Sequence, residues 1–308
     1  MNYLKNQMMK TIKINKLVTH DGPFHSDDIF ACATIALFLE KKKEKFKIIR
    51  TRDEKIINNG DYVFDIGGIY NEKKNIFDHH QKGGAGKRSN GIEYASFGLV
   101  WKKFGPKISG SSTIASAIDE SLVSPIDADD NGIDLFKSTH DVSPFLLQDF
   151  FKLMRPISNQ KPENYDKNFL KSVKVAKEIL SRIIIRGKNE IQNERIVARA
   201  CESAVNKKII ILDKYYPPGK TFYKFPKALF IIFPKEIDHS WVIKTIKKNG
   251  EGYKSRKDFP SMWGGLQDKE LQKVSGIKEA VFCHKGLFLA VAKTKEGAIK
   301  LAQIAVES

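Results

Sequence analysis

Histidine and aspartate recur in four short words of this 308-residue sequence: His20-x4-His25-x-Asp27, Asp65 just ahead of Gly67-Gly68, Asp78-His79-His80, and Asp127 with Asp130. Imidazole and carboxylate are the donors that divalent ions use in phosphoryl chemistry, where one carboxylate commonly bridges two ions about 3.5–4 Å apart. Any one of these residues alone would read as a turn former or a solvated group. Their joint arrangement predicts a metal centre for phosphoester hydrolysis. Cys32, Cys201 and Cys283 are odd in number and widely separated, which offers neither a disulfide framework nor a C-x-x-C knuckle. The donors must then be His and carboxylate. Asp130 fits equally as a turn former, as a ligand or as a ligand's support, whereas His140 and His239 lack acidic company and read as hydrogen-bonded structural residues.

Positioning such donors requires elements that end where the words begin. A β-like run at 13–19 breaks at His20, and Ser26 or Asp27 can cap an apolar helix that closes at Lys41-Lys43. A strand at 46–52, a short helix at 54–58 and a strand at 61–66 follow. Repeated β-α-β points to a parallel sheet, whose ligands gather beyond the carboxyl ends of its strands, where His20, Asp65 and the 78–80 word would all fall. Residues 81–91 read as a mobile basic loop. Helices are expected at 94–104 and 112–122, an acidic turn at 124–132, and largely helical chain at 135–154 and 165–205. From 207 the pattern shifts to strands at 209–213, 228–233, 241–247 and 280–292, closed by a helix at 296–306. The expectation is an α/β protein of two domains, 1–205 with the metal site and 206–308 as a smaller α/β substrate-binding domain.

A hydrophobic content of 41% supports a sizeable core. No apolar run reaches the about 18 residues of a membrane span and residues 1–15 lack a signal-peptide core, so a cytoplasmic location is expected. The formal charge of +17 suits a polyanionic partner such as nucleic acid, although runs such as Lys41-Lys43 and Lys247-Lys248 read equally as solvated element ends. Phe259, Trp263 and Phe282 read as core more than as base-stacking platforms.

The four words and their flanks resemble the DHH phosphoesterase superfamily and, within it, the MYG1 family of uncharacterised metal-dependent hydrolases. The resemblance is carried by Thr19-His20-Asp21-Gly22-Pro23-Phe24-His25-Ser26-Asp27-Asp28, Val63-Phe64-Asp65-Ile66-Gly67-Gly68-Ile69-Tyr70, Asp78-His79-His80-Gln81 and Ile126-Asp127-Ala128-Asp129-Asp130-Asn131-Gly132. It runs on through Gly91-Ile92-Glu93-Tyr94-Ala95-Ser96-Phe97-Gly98 to Trp263-Gly264-Gly265-Leu266 and Ser275-Gly276-Ile277, nearly the whole chain. It implies a parallel-sheet DHH-type domain joined by a long helix to a smaller α/β domain, with 3′-to-5′ RNA exonuclease activity and two divalent ions, manganese ahead of magnesium or zinc. By the same resemblance His20 and His25 would hold one ion, Asp27, His79 and Asp127 the other, with Asp65 bridging and His80 facing the substrate phosphate. This chain carries His25 where many relatives in the superfamily have Asp, and Gly264 and Gln267 where family members often have Arg. Lys269, Lys273 or His284 would then supply the missing phosphate grip.

On this reading two ions activate a water for in-line attack. Asp78 fixes a histidine tautomer by accepting a hydrogen bond, and Lys82, Lys87 and Arg88 close over the substrate backbone. Two other functions use the same residues: hydrolysis of a small phosphoanhydride or cyclic nucleotide, and nucleic-acid binding around a structural metal.

Overall fold

The computed structural model describes residues 13–157, 163–248 and 254–308. The chain gathers into two compact units that divide between Gly187 and Lys188.

In the first unit β1 (Ile14–Thr19), β2 (Lys45–Arg50), β3 (Tyr62–Phe64), β4 (Tyr70–Asn71) and β5 (Ile76–Phe77) form a sheet of order β2-β1-β3-β5-β4. β1 lies parallel to β2 and β3, and β3 parallel to β5, while β4 at the edge is antiparallel. The parallel pairing requires crossovers such as α1 (Ser26–Lys41), which returns the chain from the end of β1 to the start of β2. Every residue of α1 from Ser26 to Ala36 is buried, so this is an interior helix apolar on all sides rather than an amphipathic one. Phe30 on α1 stacks on Phe97 of α3 (Ser96–Ser109) at 5.2 Å and meets Phe151 of α6 (Leu147–Leu153) edge-on at 5.5 Å. The short α2 (Glu54–Ile57) connects β2 to β3, capped by the Asp53 carboxylate.

The long α7 (Glu163–Ser203) runs through the division between the units; the sequence reading places all of it in the first domain. In the second unit β6 (Ile209–Ile211), β7 (Phe230–Pro234), β8 (Trp241–Thr245), β9 (Ala280–Cys283) and β10 (Leu289–Ala292) take the order β6-β7-β8-β10-β9. β6 and β7 are parallel and the other pairs antiparallel. Alternation along β7 divides its side chains between two cores. Phe230 and Ile232 pack with Leu271 of α8 (Asp268–Ser275) and Leu301 of α9 (Lys295–Glu307), whereas Ile231 and Phe233 pack with Val197 and Cys201 of α7.

Three expectations are corrected. The acidic turn at 124–132 is mostly helix: α4 (Ser112–Ile118) passes through a π-helical turn at Asp119–Val123 into α5 (Ser124–Asp130). Pro125 lacks an N–H and would crowd the carbonyl four residues earlier, and the wider π turn relieves both problems without ending the helix. Within 135–154 only α6 is helical; Pro144 disfavours helical backbone at Ser143, and the Ser138 hydroxyl bonds the carbonyls of His140 and Val142 in competition with helix. The span 280–292 is a hairpin, β9 and β10, turning through Lys285-Gly286-Leu287.

Candidate metal centre

Each donor word sits at an element end on the carboxyl edge of the parallel sheet. β1 delivers His20, β3 delivers Asp65, β5 delivers Asp78 to His80, and the first turn of α1 carries Asp27 and Asp28. Helix α5 carries Asp127 and Asp130 on one face, three residues apart.

Asp65 is central. Its Oδ2 lies 3.1 Å from His20 Nε2 and its Oδ1 lies 3.3 Å from His79 Nε2 and 3.8 Å from His80 Nδ1. The residue has a left-handed backbone, φ 55°, held by its N–H donating to the Ser96 hydroxyl at 2.8 Å. Asp and Asn are among the few non-glycine residues that tolerate that region. His20 Nε2 also stands 3.3 Å from Asp28 Oδ2, and His79 Nε2 stands 3.2 Å from Asp130 Oδ2. Three donor groups have ligand atoms mutually within 4.8 Å: His20, His25 and Asp65; Asp65, His79 and His80; and Asp27, His79 and Asp130.

The N-terminus of α3 backs the centre. Both oxygens of Asp27 accept its amides, Phe97 N at 2.7 Å and Ser96 N at 3.2 Å, and Asp127 Oδ1 accepts Gly98 N at 3.0 Å. Such an end favours negative charge. Gly98 leaves room that no side chain could share, since a Cβ there would lie 1.9 Å from Asp127 Oδ2.

The residues fit divalent metal. Asp27, Asp28 and Asp127 are fully buried and Asp65 nearly so, while Asp28 Oδ2, Asp65 Oδ1, His79 Nε2 and Asp127 Oδ2 find no aligned hydrogen-bond partner among the described residues. Buried carboxylates in such number call for cations. In the metal-free chain protons serve: burial works against charge on His20, yet Asp28 and Asp65 hold its pKa up at about 10, and Asp130 and Asp65 hold His79 at about 11 against the same penalty. Burial alone would raise the Asp65 carboxyl, but its bonds to His20 and His79 keep it below the usual carboxylate range. Asp27 has no such relief; burial and then the neighbouring carboxylates Asp130, Asp65 and Asp127 push it well upward.

The expected site residues fare unequally. His20, His25, Asp27, Asp65, His79 and His80 come together. Asp127 turns away to the Arg88 guanidinium, 2.8 Å from Nη1, and Asp130, left undecided by the sequence, takes the place beside Asp27 and His79. Asp78 is buried, accepting His80 Nδ1 at 2.7 Å and Gly68 N at 2.6 Å. Arg88, expected to close over substrate, is held among acids: Nε and Nη2 each lie 2.8 Å from Asp119, and the guanidinium stacks over Tyr94 at 4.3 Å. That anchoring, with the Lys87–Glu93 bridge and Tyr94 N donating to Gly86 O, also gives the loop 81–91 a fixed hairpin-like path. Lys82 and Lys87 are exposed. In the second unit, Phe259 and Trp263 are buried core, and His284 packs on Phe288 at 4.4 Å with Nδ1 accepting Gly286 N. Sequence reasoning passed over Asp28 as a donor, although its spacing from His25 is that of a capping box, and Asp28 Oδ1 accepts His25 N at 2.9 Å.

Residues 16–306 match the family described as MYG1_exonuc, Uncharacterised protein family (UPF0160). A MYG1 protein of Chlamydia pneumoniae is 31% identical over 300 residues, covering 94% of this chain and 96% of its own length. The MYG1 exonuclease of Mus musculus is 29% identical over 337 residues, covering 97% and 86%. Among solved structures, RecJ of Thermus thermophilus in complex with Mn2+ superposes over 95% of this chain and 52% of its own, at 9% identity and a TM-score of 0.26. With a match running across both units and relatives aligned nearly end to end, the chain belongs to the MYG1 exonuclease family.

Proposed function

We propose that this chain is a metal-dependent phosphodiesterase that shortens RNA or short oligonucleotides from the 3′ end. The observation that carries the reading is the set of buried carboxylate and imidazole atoms around Asp65 that have no aligned hydrogen-bond partner. The name exonuclease borne by mammalian relatives supports it.

His20, His25 and Asp65 would hold one divalent ion and Asp27, His79 and Asp130 a second, manganese in the first instance, with Asp65 within reach of His79 as well. Divalent ions bound there would supply Lewis acidity, lowering the pKa of a water and neutralising charge on phosphoryl oxygens. The chain's own groups do the rest. Asp78 accepts from His80 Nδ1 and favours the charged ring, so that Nε2 of a side chain that is 62% exposed could donate its own proton to a phosphate oxygen. The α3 amides fix Asp27 so that its carboxylate need not reorganise. Lys82 and Lys87, exposed on the anchored loop, are placed in sequence to contact the substrate backbone. The second unit supplies further grip on the strand.

The test is to strip the protein of metal, restore Mn2+ or Mg2+, and follow end-labelled single-stranded RNA and DNA, with Asp65→Asn and His79→Ala as controls. Stepwise shortening that requires metal, disappears in both controls and leaves a 5′ label on successively shorter products is the expected result. Metal binding without cleavage of any strand would overturn it and favour a small phosphoanhydride or cyclic nucleotide as substrate.

A further inference from the structure

The second unit holds a cleft of about 1310 Å³ whose lining mixes Tyr215, Tyr223 and Phe288 with Lys244, Lys247, Lys248 and Lys254. The volume exceeds the about 300–1,000 Å³ of pockets that enclose small ligands. Tyr215, Tyr223 and Phe288 are 44%, 53% and 40% exposed, in contrast to Phe222 of the same lining at 7% and to Phe259 and Trp263 of the adjoining core at 2% and 1%. Leaving three large rings partly in water forgoes apolar burial that a ligand covering them recovers. Lys244 Nζ lies 5.1 Å from the Tyr215 ring, and Tyr215 is braced from behind by Phe233 at 4.8 Å. Phe288 is braced by the His284 ring at 4.4 Å, and the Phe288 carbonyl ties its strand to β8 through Thr245 N. The cleft thus sets two rings packed on neighbouring rings, Tyr215 and Phe288, and the exposed Tyr223 among ammonium groups, with Asp258 the acid among its lining residues.

Rings that accept any base face, alternating with cations that follow a backbone, are what sequence-tolerant grip on a single strand requires. We propose that this cleft is a binding groove for single-stranded nucleic acid, stacking unpaired bases on Tyr215, Tyr223 and Phe288 while Lys244 and Lys248 meet the phosphates. It deepens the proposed function, resting on it for the class of ligand; the groove itself binds without metal. Duplexes, whose bases present no free faces, are excluded as ligands.

The test uses the full chain in EDTA and the fluorescence anisotropy of labelled oligo(U) and oligo(dT) of about 12 nucleotides, within the site sizes of single-strand grooves. A duplex of equal length is run beside them. Tyr223→Ala and Phe288→Ala should each weaken both single strands by about tenfold, with Mn2+ affinity by calorimetry unchanged as the check on folding. Tyr223→Trp should retain binding and lose tryptophan fluorescence when the strand is added. Tighter binding of oligo(U) would mark the ribose as read, and equal binding would mark backbone and base faces alone. Unaltered affinity in both alanine variants, no quench in Tyr223→Trp, or a duplex bound as tightly as the single strands would each overturn the groove. Cleavage that persists with unaltered binding removes the groove and leaves the exonuclease; binding lost in the variants with no cleavage in any condition does the reverse.

Discussion

The two five-stranded sheets put charge to opposite uses. In the first unit the carboxylates Asp27, Asp28, Asp65 and Asp127 are sealed from water and held by backbone amides, histidines and Arg88. In the second, the lysines and aromatic rings of the cleft stand partly in solvent. Chemistry on a phosphate needs charges fixed to a fraction of an ångström in a dry setting, which costs stability whenever a partner is missing. Holding a long polyanion needs only density of charge and face, which solvent screens but does not abolish. The contrast predicts that changes in the first region act on metal affinity and folding, and changes in the second on strand affinity and its salt dependence.

The largest effect is expected at Asp65. Asp65→Asn should lower Mn2+ affinity, read by calorimetry, by more than the about 100-fold that loss of a merely supporting partner costs, and abolish metal-dependent cleavage; retention of either would detach Asp65 from the centre. Next comes Arg88→Ala, which leaves Asp127 buried without its cation and should cost about 3 kcal/mol in urea unfolding. A change within about 0.5 kcal/mol would instead return Arg88 to the substrate-facing role. The two acids of α5 should separate: Asp130→Asn lowers metal affinity, though less than Asp65→Asn, while Asp127→Asn acts mainly on stability.

Smaller effects follow from protons and salt. Because the folded metal-free chain holds His20 at about 10 and His79 at about 11, their contribution to stability is complete below the ordinary imidazole value of about 6.5 and is lost as pH climbs through those folded values. Melting of EDTA-treated protein should therefore decline from near neutrality toward pH 10, and Mn2+ affinity should rise over the same window as ions displace protons. Calorimetry in two buffers of different ionisation heat would detect the released protons, and identical heats would refute the account. Smallest of all, Lys244→Gln in the cleft should reduce the logarithmic salt slope of oligo(dT) binding by about 0.7, with no loss of folding stability.

Much of this contrast could be read from residue order, and its gaps have physical causes. Apolar runs bounded by turn residues located β1, α1, α3 and α7 to within a few residues, because burial and capping act locally. The Asp-Ala-Asp-Asp-Asn-Gly word misled, since its residues are good turn formers and the π turn that lets Pro125 join a helix leaves no local signature. That error hid Asp130: on a turn its direction is open, whereas on α5 it shares a face with Asp127 one helical turn earlier. The ion pairs of Arg88 were hidden for another reason. A basic residue in a glycine-rich loop looks solvent-bound until tertiary packing brings Asp119 and Asp127 against it, over a separation of thirty or so residues that no periodicity encodes.

The left-handed backbone at Asp65 bears on how this position can vary. Glycine would suit the φ of 55° and asparagine would tolerate it, but neither brings a negative charge, while glutamate brings the charge on a residue that backbone disfavours and with a longer reach. Ordinary similarity scales, which rank aspartate to glutamate as the gentlest of exchanges, therefore invert here. Two unrelated filters, one steric and one electrostatic, act on position 65, and a laboratory library there should return no second functional residue.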